Sequence, residues 1–558
     1  MKKNSKGNFK MQIAGFLLMI LLSCNKNSGP TAPQNPCVVN GVDTCLANTT
    51  LTATVMANEE IQTIHSFGAS DCWGIKFIGK NWPIDKRNQI ADLLFSRQFD
   101  QNGNPKGIGL SMWRINVGAG SYEQGEGSHI GSDWRREECF LDSTGAFDWS
   151  KQAGNRWFAE AAKQRGVENL LLFAISPPVS MTKNGFAFAM DGAELGKFNL
   201  RADKYGNYAD FLTEVAKSYQ QSGLSINYIS PLNEPQWNWN AGSNGIASQE
   251  GTGASNGEAF EIVKQLDGSI NAKNLNARIA FGEVGAHNFA YGVVSNNSQR
   301  SDVMNFFWNP SSSGYLGNFQ HVEKILSSHS YFSQPDVSSL INNRTALASR
   351  MSGVNSNVKF WQSEYCILSG EDNTAGNGRD LGINSALYIA RVIHTDLAIG
   401  NATSWQWWLG VSPSDYKDGL VYVSDLNGNM GELSSTRTDG LVYPSKMLWA
   451  LGNFSRFVRP GMVRIKASLE NNIDPAVAAG NLMISAYKNN ISKEVVIVVI
   501  NMSSADQEIK LSGLNFSGSL LKTYTTSATE DLKFSEIPSG SKFTISGKSI
   551  KTLVGVYQ

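Results

Sequence analysis

The chain has 558 residues, and its 48 Lys plus Arg balance its 48 Asp plus Glu, so the formal net charge is zero. A protein that follows nucleic-acid phosphates carries excess positive charge, so this balance argues against nucleic acid and against a polyanionic substrate. Aromatic residues make up 10% of the chain and include 14 Trp, while charged residues make up only 17%. This composition suits a neutral ligand with flat apolar faces, although large folds also bury many aromatic rings.

The N-terminal segment is a basic stretch followed by an apolar run, Ile13 to Leu22. The run is shorter than the roughly 20 residues that cross a bilayer, and it has the form of a secretory signal peptide. It ends at Leu22-Ser23-Cys24, which resembles a bacterial lipoprotein cleavage box. We therefore predict a signal peptide over 1–23, acylation of Cys24 and a lipid anchor in the bacterial cell envelope, at the outer membrane or cell surface. An ordinary secretory signal with an incidental Cys is the alternative.

Residues 24–48 are rich in Asn, Ser, Thr, Gly and Pro, which predicts a flexible tether. The chain has six Cys, and if Cys24 is acylated the odd number that remains cannot all pair within the chain. Cys37 and Cys45 are close enough in sequence to close a small loop. Neither the Cys nor the His spacings match a metal site, so we predict no catalytic metal, cofactor or nucleotide.

The middle of the chain alternates short apolar runs with helical stretches. This alternation indicates parallel strands joined by crossover helices, and it predicts an α/β fold with a (β/α)8 TIM barrel over 63–455. A doubly wound open sheet is the alternative, which is disfavoured because no Gly-rich phosphate loop follows the first strand. The runs predicted as buried strands are Gly109–Val117, Leu170–Ile175, Ile226–Ser230, Ile279–Glu283 and Val358–Glu364.

The C-terminal part loses helical periodicity and consists of short apolar alternations separated by Gly, Ser and Asn turns. This pattern predicts a small side β-sandwich over 456–558. A further alternating segment precedes the barrel, and we predict that a strand within 49–62 joins the sandwich sheet.

Two glutamates follow buried strands of the predicted barrel. One stands in Asn233-Glu234-Pro235 and the other in Glu364-Tyr365. In such barrels chemistry occurs at the C-terminal ends of strands. Burial beside aromatic rings raises a carboxyl pKa, and two carboxyls facing one sugar are the minimum apparatus of glycoside hydrolysis. A single strand-end Glu is more often structural, but the flanked pair favours catalysis.

Five spaced motifs carry a more specific signal. They are Ser66–Ser70, Ser176–Pro178 with Met181–Gly185, Asn233–Pro235, Ser363–Tyr365 and Leu451–Gly461. In this order they resemble the motifs of glycoside hydrolase family 30, a clan A family of retaining glycosidases built on (β/α)8 barrels. Ser66 replaces the leading Gly of the family's first-strand motif.

The resemblance implies a role for each matching residue. Glu234 matches the general acid/base and Glu364 the nucleophile, whose carboxyls should then lie about 5–5.5 Å apart. Asn233 matches a residue that hydrogen-bonds the sugar 2-OH.

Two further positions match residues that support the nucleophile. Arg114 matches a strand-2 Arg that keeps the nucleophile ionised, and Tyr331 matches a strand-6 Tyr that hydrogen-bonds it. His329 either supports the site or is a buried core histidine.

The walls of the sugar pocket are predicted at the ends of other strands. Alternation places Trp405 and Trp407 on one face of their strand and Trp408 on the other, and the sequence leaves open which face lines the barrel mouth. The predicted substrate-binding residues are Asp71, Trp73, Asn184, Trp237, Trp405 and Trp407.

Two stretches, Asp71–Pro83 and Gly107–Arg114, resemble endo-β-1,6-galactanase-like members of the family. The resemblance implies a polysaccharide substrate, β-1,6-galactan in arabinogalactan side chains. A β-1,6-glucanase, a xylanase and an exo-β-glycosidase of the same family are alternatives, because one buried hydrogen bond can reverse a preference between similar sugars. An alternative of another class is a non-catalytic surface lipoprotein that binds glycan.

Overall fold

The structure is a computed structural model that describes residues 50–368, 376–470 and 473–558. It also describes the backbone of two short antiparallel strands, β1 (Val38–Val39) and β2 (Val42–Asp43).

The predicted signal peptide, most of the predicted tether and the lipidation position Cys24 lie outside the described residues, as do Cys37 and Cys45. The other cysteines, Cys72, Cys139 and Cys366, are buried thiols. Within the described ranges, no helix has the length and apolar character needed to cross a membrane.

After β3 (Leu51–Thr63), parallel strands form a closed ring. The last of them pairs with the first through Trp405 and Phe67, and bridges from Ile279 to Val322 and from Val284 to Ser328 join the fifth and sixth. The eight strands are β4 (Ser66–Ser70), β5 (Met112–Asn116), β6 (Asn169–Phe173), β7 (Tyr228–Ser230), β8 (Arg278–Ile279), β9 (Ile325–Ser328), β10 (Lys359–Gln362) and β11 (Ala402–Ser412).

Most of the helices lie between strands of the ring and cover it with their apolar faces, whereas the last one lies between two strands of the C-terminal sheet. One of them begins with a capping box, in which Ser255 and Glu258 each accept the other's backbone N–H. The helices are α1 (Ile75–Asn81), α2 (Ile84–Phe95), α3 (Ser121–Gln124), α4 (Ala153–Gln164), α5 (Tyr205–Gln221), α6 (Asn256–Ala272), α7 (His287–Tyr291), α8 (Val303–Trp308), α9 (Val337–Asn355), α10 (Ile383–Ala398), α11 (Lys446–Ser455) and α12 (Pro475–Gly480).

Two strands, β12 (Gly419–Ser424) and β13 (Leu441–Pro444), extend the barrel sheet beyond the end of β11. The remaining strands form a separate sheet in which β3 lies between two C-terminal strands. They are β14 (Val463–Leu469), β15 (Leu482–Lys488), β16 (Glu494–Asn501), β17 (Gln507–Ser512), β18 (Leu520–Thr526), β19 (Lys533–Pro538), β20 (Lys542–Ile545) and β21 (Ser549–Val556).

Strand β16 shows how the two units share their cores. Val495, Ile497 and Val499 belong to the core of the side sheet, whereas Val496 and Val498 pack into the barrel core. Because both faces are buried, the strand is a continuous apolar run rather than an alternating one. Helix α10 lies at the same junction, in contact with β11, β15 and β21, and nearly all its side chains are buried.

The closed ring and the packed side sheet confirm the predicted (β/α)8 barrel with a side β-sandwich, and the doubly wound sheet is wrong. The predicted strand Ile279–Glu283 is shorter in the structure, where β8 ends at Ile279. The chain leaves the extended conformation at Gly282 and Glu283, which have φ of 130° and 41°. A side chain at Gly282 would place its Cβ 2.4 Å from the carbonyl oxygen of Ser327, so glycine permits the close approach of the next strand.

Candidate active site

Charged side chains from five barrel strands meet at the carboxyl ends of those strands. We call Arg114, Glu234, Glu283, His329 and Glu364 the charged cluster, and every member is buried. They come from β5 and from the residues that follow β7, β8, β9 and β10. The closed barrel explains how residues so distant in sequence reach one another.

The two predicted catalytic carboxylates lie close together. One oxygen of Glu234, one of Glu364 and a ring nitrogen of His329 all lie within 4.8 Å of one another. Carboxyls roughly 5–5.5 Å apart are typical of retaining glycosidases, whereas inverting enzymes leave about 6.5–9.5 Å for a water molecule. The spacing matches the retaining geometry.

Both oxygens of Glu364 are held by buried donors. Arg114 Nη1 donates to Oε2 at 3.1 Å, and the Tyr331 hydroxyl donates to Oε1 at 3.1 Å. The guanidinium of Arg114 also stacks on the Phe173 ring, 4.3 Å from its centroid. Burial raises the pKa of Glu364, against the opposing charges of His329 and Arg114.

His329 bridges two carboxylates rather than lying in an apolar core. Its Nδ1 is 2.8 Å from Glu234 Oε1, and its Nε2 is 2.9 Å from Glu283 Oε2. Burial alone would lower the pKa of His329, but Glu364, Glu234 and Glu283 raise it to about 10. The ring is therefore an imidazolium at neutral pH, and its two N–H groups donate to the two carboxylates.

Glu283 is a member of the cluster that sequence reasoning missed. Its Oε2 accepts from Arg114 Nη2 at 2.9 Å as well as from His329, and its carbonyl accepts the N–H of Glu234 at 2.9 Å. Burial opposes ionisation, but Arg114 and His329 outweigh it and lower the pKa of Glu283. The available signal was its position at the end of an apolar run, the same signal that selected Glu234 and Glu364.

The backbone is strained at two of these carboxylates. Glu234 and Glu283 have φ of 45° and 41°, in the left-handed region that non-glycine residues seldom adopt. Such conformations cost about 1–3 kcal/mol each and persist where the surrounding structure holds them, often at functional sites. Here the bond from the Glu234 N–H to the Glu283 carbonyl ties the two strained residues together.

Three other predicted polar residues differ in how they relate to the cluster. Asn233 is buried next to Glu234, and its Oδ1 has no hydrogen-bond partner among the described residues. Asp71 is fully buried, with its carboxylate accepting from the Asn116 N–H and the Asn155 amide at 2.8 and 2.9 Å. Asn184 bonds within its own loop, where its amide donates to the Phe188 carbonyl. The structure places Asn233 at the cluster and Asp71 next to it, with the Asp71 N–H donating to the Arg114 carbonyl at 3.0 Å, whereas Asn184 bonds to Phe188 in its own loop.

The tryptophans of β11 separate into two environments. Trp405 and Trp407 are fully buried, and their indole N–H groups donate to Asp396 on α10 and to the Asp418 carbonyl. A register shift in the pairing of β11 with β4 falls next to Trp408. The ring of Trp408 meets the edge of Phe173, the ring on which Arg114 stacks. The structure therefore places Trp408, rather than Trp405 and Trp407, beside the cluster.

Two more predicted aromatic residues flank the cluster on different sides. Trp73 meets Trp408 edge to face at 5.3 Å and is covered by the guanidinium of Arg135, 3.8 Å from its ring centroid. Trp237 follows Glu234 in the same loop and is half-buried. The Trp239 indole braces that loop by donating to the Glu234 carbonyl at 3.0 Å.

Comparisons with known proteins agree with this geometry. Residues 50–422 match the family model described as O-glycosyl hydrolase family 30. An endo-β-1,6-galactanase of Hypocrea rufa is 24% identical over 474 residues, which are 82% of this chain and 82% of that protein. The glucuronoxylanase XynC of Bacillus subtilis (strain 168) is 25% identical over 397 residues, 70% of this chain and 74% of the relative.

Among solved structures, a conserved exported protein from Bacteroides fragilis superposes with a TM-score of 0.83 and 35% identity. The superposition covers 90% of this chain and 100% of that one. The family model matches well over half of the sequence, which establishes the family of this chain. The chain belongs to O-glycosyl hydrolase family 30, and it is a glycoside hydrolase of a family whose general mechanism is retaining.

Proposed function

We propose that this protein is an endo-β-1,6-galactanase that uses Glu364 as nucleophile and Glu234 as general acid/base. The observation that carries the proposal is the short separation of the two carboxylates at the strand ends, within 4.8 Å. Such a distance leaves room for one anomeric carbon between them, with no water in the first step.

In the first step an oxygen of Glu364 attacks the anomeric carbon while the bond to the leaving oxygen breaks. Glu234 gives its proton to that oxygen, so the step forms a glycosyl ester and releases the shortened glycan. In the second step the Glu234 carboxylate takes a proton from water, whose oxygen attacks the same carbon and frees Glu364. Both steps invert the carbon, so the product keeps the β configuration.

The neighbours of the two carboxylates suit these roles. Arg114 and Tyr331 fix both oxygens of Glu364 and point it in one direction. When Glu364 loses its charge by forming the ester, Arg114 stays paired with Glu283. His329 occupies Glu234 Oε1, which leaves the other oxygen to carry the transferred proton. The unpartnered Oδ1 of Asn233 is suited to accept the sugar 2-OH.

The substrate assignment is supported by the Hypocrea rufa endo-β-1,6-galactanase, whose alignment covers 82% of this chain and 82% of that protein. The glucuronoxylanases align over a shorter part of this chain. Xylan is therefore the second candidate. Galactan and xylan differ in linkage and in ring substituents, so the buried hydrogen-bonding groups of the site would discriminate between them strongly.

The proposal includes export and lipid anchoring through Cys24. Its support is the lipoprotein-like sequence at the N-terminus and the likeness to an exported protein of Bacteroides fragilis. The wild-type protein expressed in a Gram-negative host with labelled palmitate should carry the label, and a Cys24→Ser variant should not. Equal labelling of the two proteins, or none in either, would contradict acylation at this residue.

The test of the activity is a substrate screen with de-arabinosylated arabinogalactan, β-1,6-glucan, glucuronoxylan and undecorated xylan. We expect short β-1,6-galacto-oligosaccharides, with NMR spectra of the first products showing the β anomer. Products from another glycan alone would refute the galactanase assignment and leave the two glutamates in place. A folded protein that binds one of these glycans and cleaves none would refute catalysis by this chain.

A further inference from the structure

An aromatic cavity of about 370 Å³ lies beside the charged cluster. We define it by four rings, Trp237, Phe289, Tyr331 and Phe332, and the exposed residue Asn288 lies at its rim. Ligand sites for small polar molecules usually combine such apolar walls with a few polar groups. A sugar ring has this character, since its C–H faces are apolar and its edges carry hydroxyls.

The cavity is continuous with the proposed catalytic residues. Tyr331 lines it and also donates its hydroxyl to Glu364. Trp237 lies in the loop that carries Glu234, and its backbone N–H donates to the Glu234 carbonyl at 3.1 Å. A ligand in the cavity would therefore touch the loop of the acid/base and one of the groups that hold the nucleophile.

This position determines which part of a substrate would occupy the cavity. The acid/base protonates the oxygen between the two sugars, so the sugar that leaves must lie against the loop of Glu234. Trp73 and Trp408 lie elsewhere, beside Phe173 and Arg114. The cluster thus has one aromatic pair on the Arg114 side and the aromatic cavity on the Glu234 side.

The Trp237 ring is fixed in place by its neighbours. Its indole packs on Gly285, where an added Cβ would lie 2.4 Å from Nε1. The Phe289 ring meets it edge to face at 5.2 Å, and Arg300 donates to its carbonyl at 3.2 Å. A wall held in this way needs little ordering when a ligand binds.

Phe332 combines an exposed side chain with an unusual backbone conformation. Its side chain is 55% exposed, and its φ of 57° lies in the left-handed region, where a bulky residue is an outlier. Its ring meets Trp237 at 6.0 Å, nearly perpendicular, so the two rings form a corner. Strained residues of this kind concentrate at ligand-binding positions.

We propose that the aromatic cavity is the binding subsite for the sugar on the leaving-group side of the cleaved bond, with Trp237 and Phe332 packing on its apolar face. The inference rests on the proposed function. It assigns these two residues to productive placement of a glycan leaving group against Glu234. It also assigns them to binding the acceptor when a second sugar, instead of water, attacks the glycosyl ester.

The test compares two substrates that differ only on the leaving-group side. β-1,6-Galactotetraose must place a sugar in the cavity, whereas β-1,6-galactobiosyl fluoride releases fluoride and leaves the cavity empty. For Phe332→Ala and Trp237→Ala, we expect the ratio of kcat/KM for the tetraose to kcat/KM for the fluoride to fall at least about tenfold. Phe99→Ala is the matched control, because Phe99 is 42% exposed and packs on Tyr524 of the side sheet.

Gly285→Ala provides a variant that displaces the Trp237 ring without removing an aromatic side chain, and its ratio should fall in the same direction. Transfer to added β-1,6-galactobiose, measured against hydrolysis with the fluoride as donor, should fall in all three cavity variants. A ratio that stays within about twofold of wild type in Phe332→Ala and Trp237→Ala would overturn the inference.

The design separates this inference from the proposed function. If wild type cleaves neither galactan substrate, the galactanase assignment fails. The same comparison is then made with the tetrasaccharide and the disaccharide fluoride of the glycan that the screen identifies as the substrate. If wild type cleaves both and the variants lose both equally, the function stands and the subsite is refuted.

Discussion

Two sets of buried carboxyls in this barrel contrast in their charge state. In the charged cluster, Arg114 and His329 lie within hydrogen-bonding distance of carboxylate oxygens. Two other glutamates, Glu137 in the loop after β5 and Glu250 in the loop after β7, are equally buried but lack such cations. Glu250 accepts only neutral donors from Ala119 and Ser121, and neither oxygen of Glu137 has a hydrogen-bond partner among the described residues.

The consequence appears in the pKa values. Burial raises the pKa of Glu137 to about 8, although the ammonium group of Lys76, 3.9 Å away, opposes the rise. Burial raises the pKa of Glu250 to about 7. In the cluster, Arg114 and His329 overcome burial and lower the pKa of Glu283. Burial therefore raises the pKa of a carboxyl, and cations in direct contact oppose that rise: they outweigh burial at Glu283, whereas at Glu364 they limit a pKa that burial still raises.

The largest expected effect comes from the same substitution made in both places. Glu364→Gln should lower kcat by about 10⁴-fold or more, because an amide oxygen is a poor nucleophile and cannot form the ester. Glu137→Gln should leave kcat within about threefold, because Gln resembles the protonated carboxyl already present at neutral pH. Steady-state kinetics on the glycan identified in the screen measure kcat for both variants. Equal losses of kcat would remove the distinction between the two sets of buried carboxyls.

Replacing Arg114 should destabilise the cluster and weaken catalysis. Arg114→Met leaves Glu283 and Glu364 with an uncompensated buried charge, which typically costs about 3–5 kcal/mol of unfolding free energy. The pKa of Glu364 should rise, so the acid limb of the pH–activity profile should move to higher pH. Thermal unfolding and the pH profile measure the two effects, and an unmoved acid limb would show that Arg114 does not help to ionise Glu364.

Glu283→Gln tests the carboxylate that sequence reasoning missed. The change removes one negative charge beside His329 and Arg114, so the pKa values of the remaining ionisable groups in the cluster should fall. We expect both limbs of the pH–activity profile to shift to lower pH, with kcat/KM at the optimum lowered by about tenfold to a hundredfold. Glu250→Gln is the control, and a matching shift there would refute a specific role for Glu283.

The smallest effect concerns stability against pH. The pKa of Glu137 is about 8 in the folded chain and near 4.5 when unfolded, so the folded state holds the extra proton between these values. The stability this group contributes is complete below about pH 4.5 and is lost as pH rises through about 8. Denaturant unfolding of Glu137→Gln should therefore show a shallower loss of stability over that range. An unchanged slope would contradict the raised pKa.

A site residue could be predicted from sequence when a local motif marks it, and could not when its role depends on contacts with residues distant in the chain. Glu234 and Glu364 follow apolar runs within local motifs, so the sequence alone singles out both residues. Glu283 also ends an apolar run, but its importance comes from Arg114 and His329, which reach it only after the barrel closes. No pattern along the chain reports those contacts.

For the tryptophans and the fold too, local patterns were predictive and contacts between distant residues were not. Alternation correctly separated Trp408 from Trp405 and Trp407, because side chains of a strand point to alternate faces. Which face meets the cluster depends on α10, whose Asp396 binds the Trp405 indole on the outer side. The barrel itself was predictable because alternating strands and helices require parallel pairing. That the sheet closes into a ring was implied by the resemblance of the spaced motifs to a family of closed barrels.

The most direct test of the central claim is to trap the glycosyl enzyme. Incubation with 2-deoxy-2-fluoro-β-1,6-galactobiosyl fluoride should slow the second step and leave the sugar on the nucleophile, and peptide mass spectrometry should find it on Glu364. Glu364→Gln should acquire no label, whereas Glu137→Gln should label as wild type does. A label on Glu234 or Glu283, or an α-configured first product in the NMR assay, would contradict the retaining mechanism assigned to these residues.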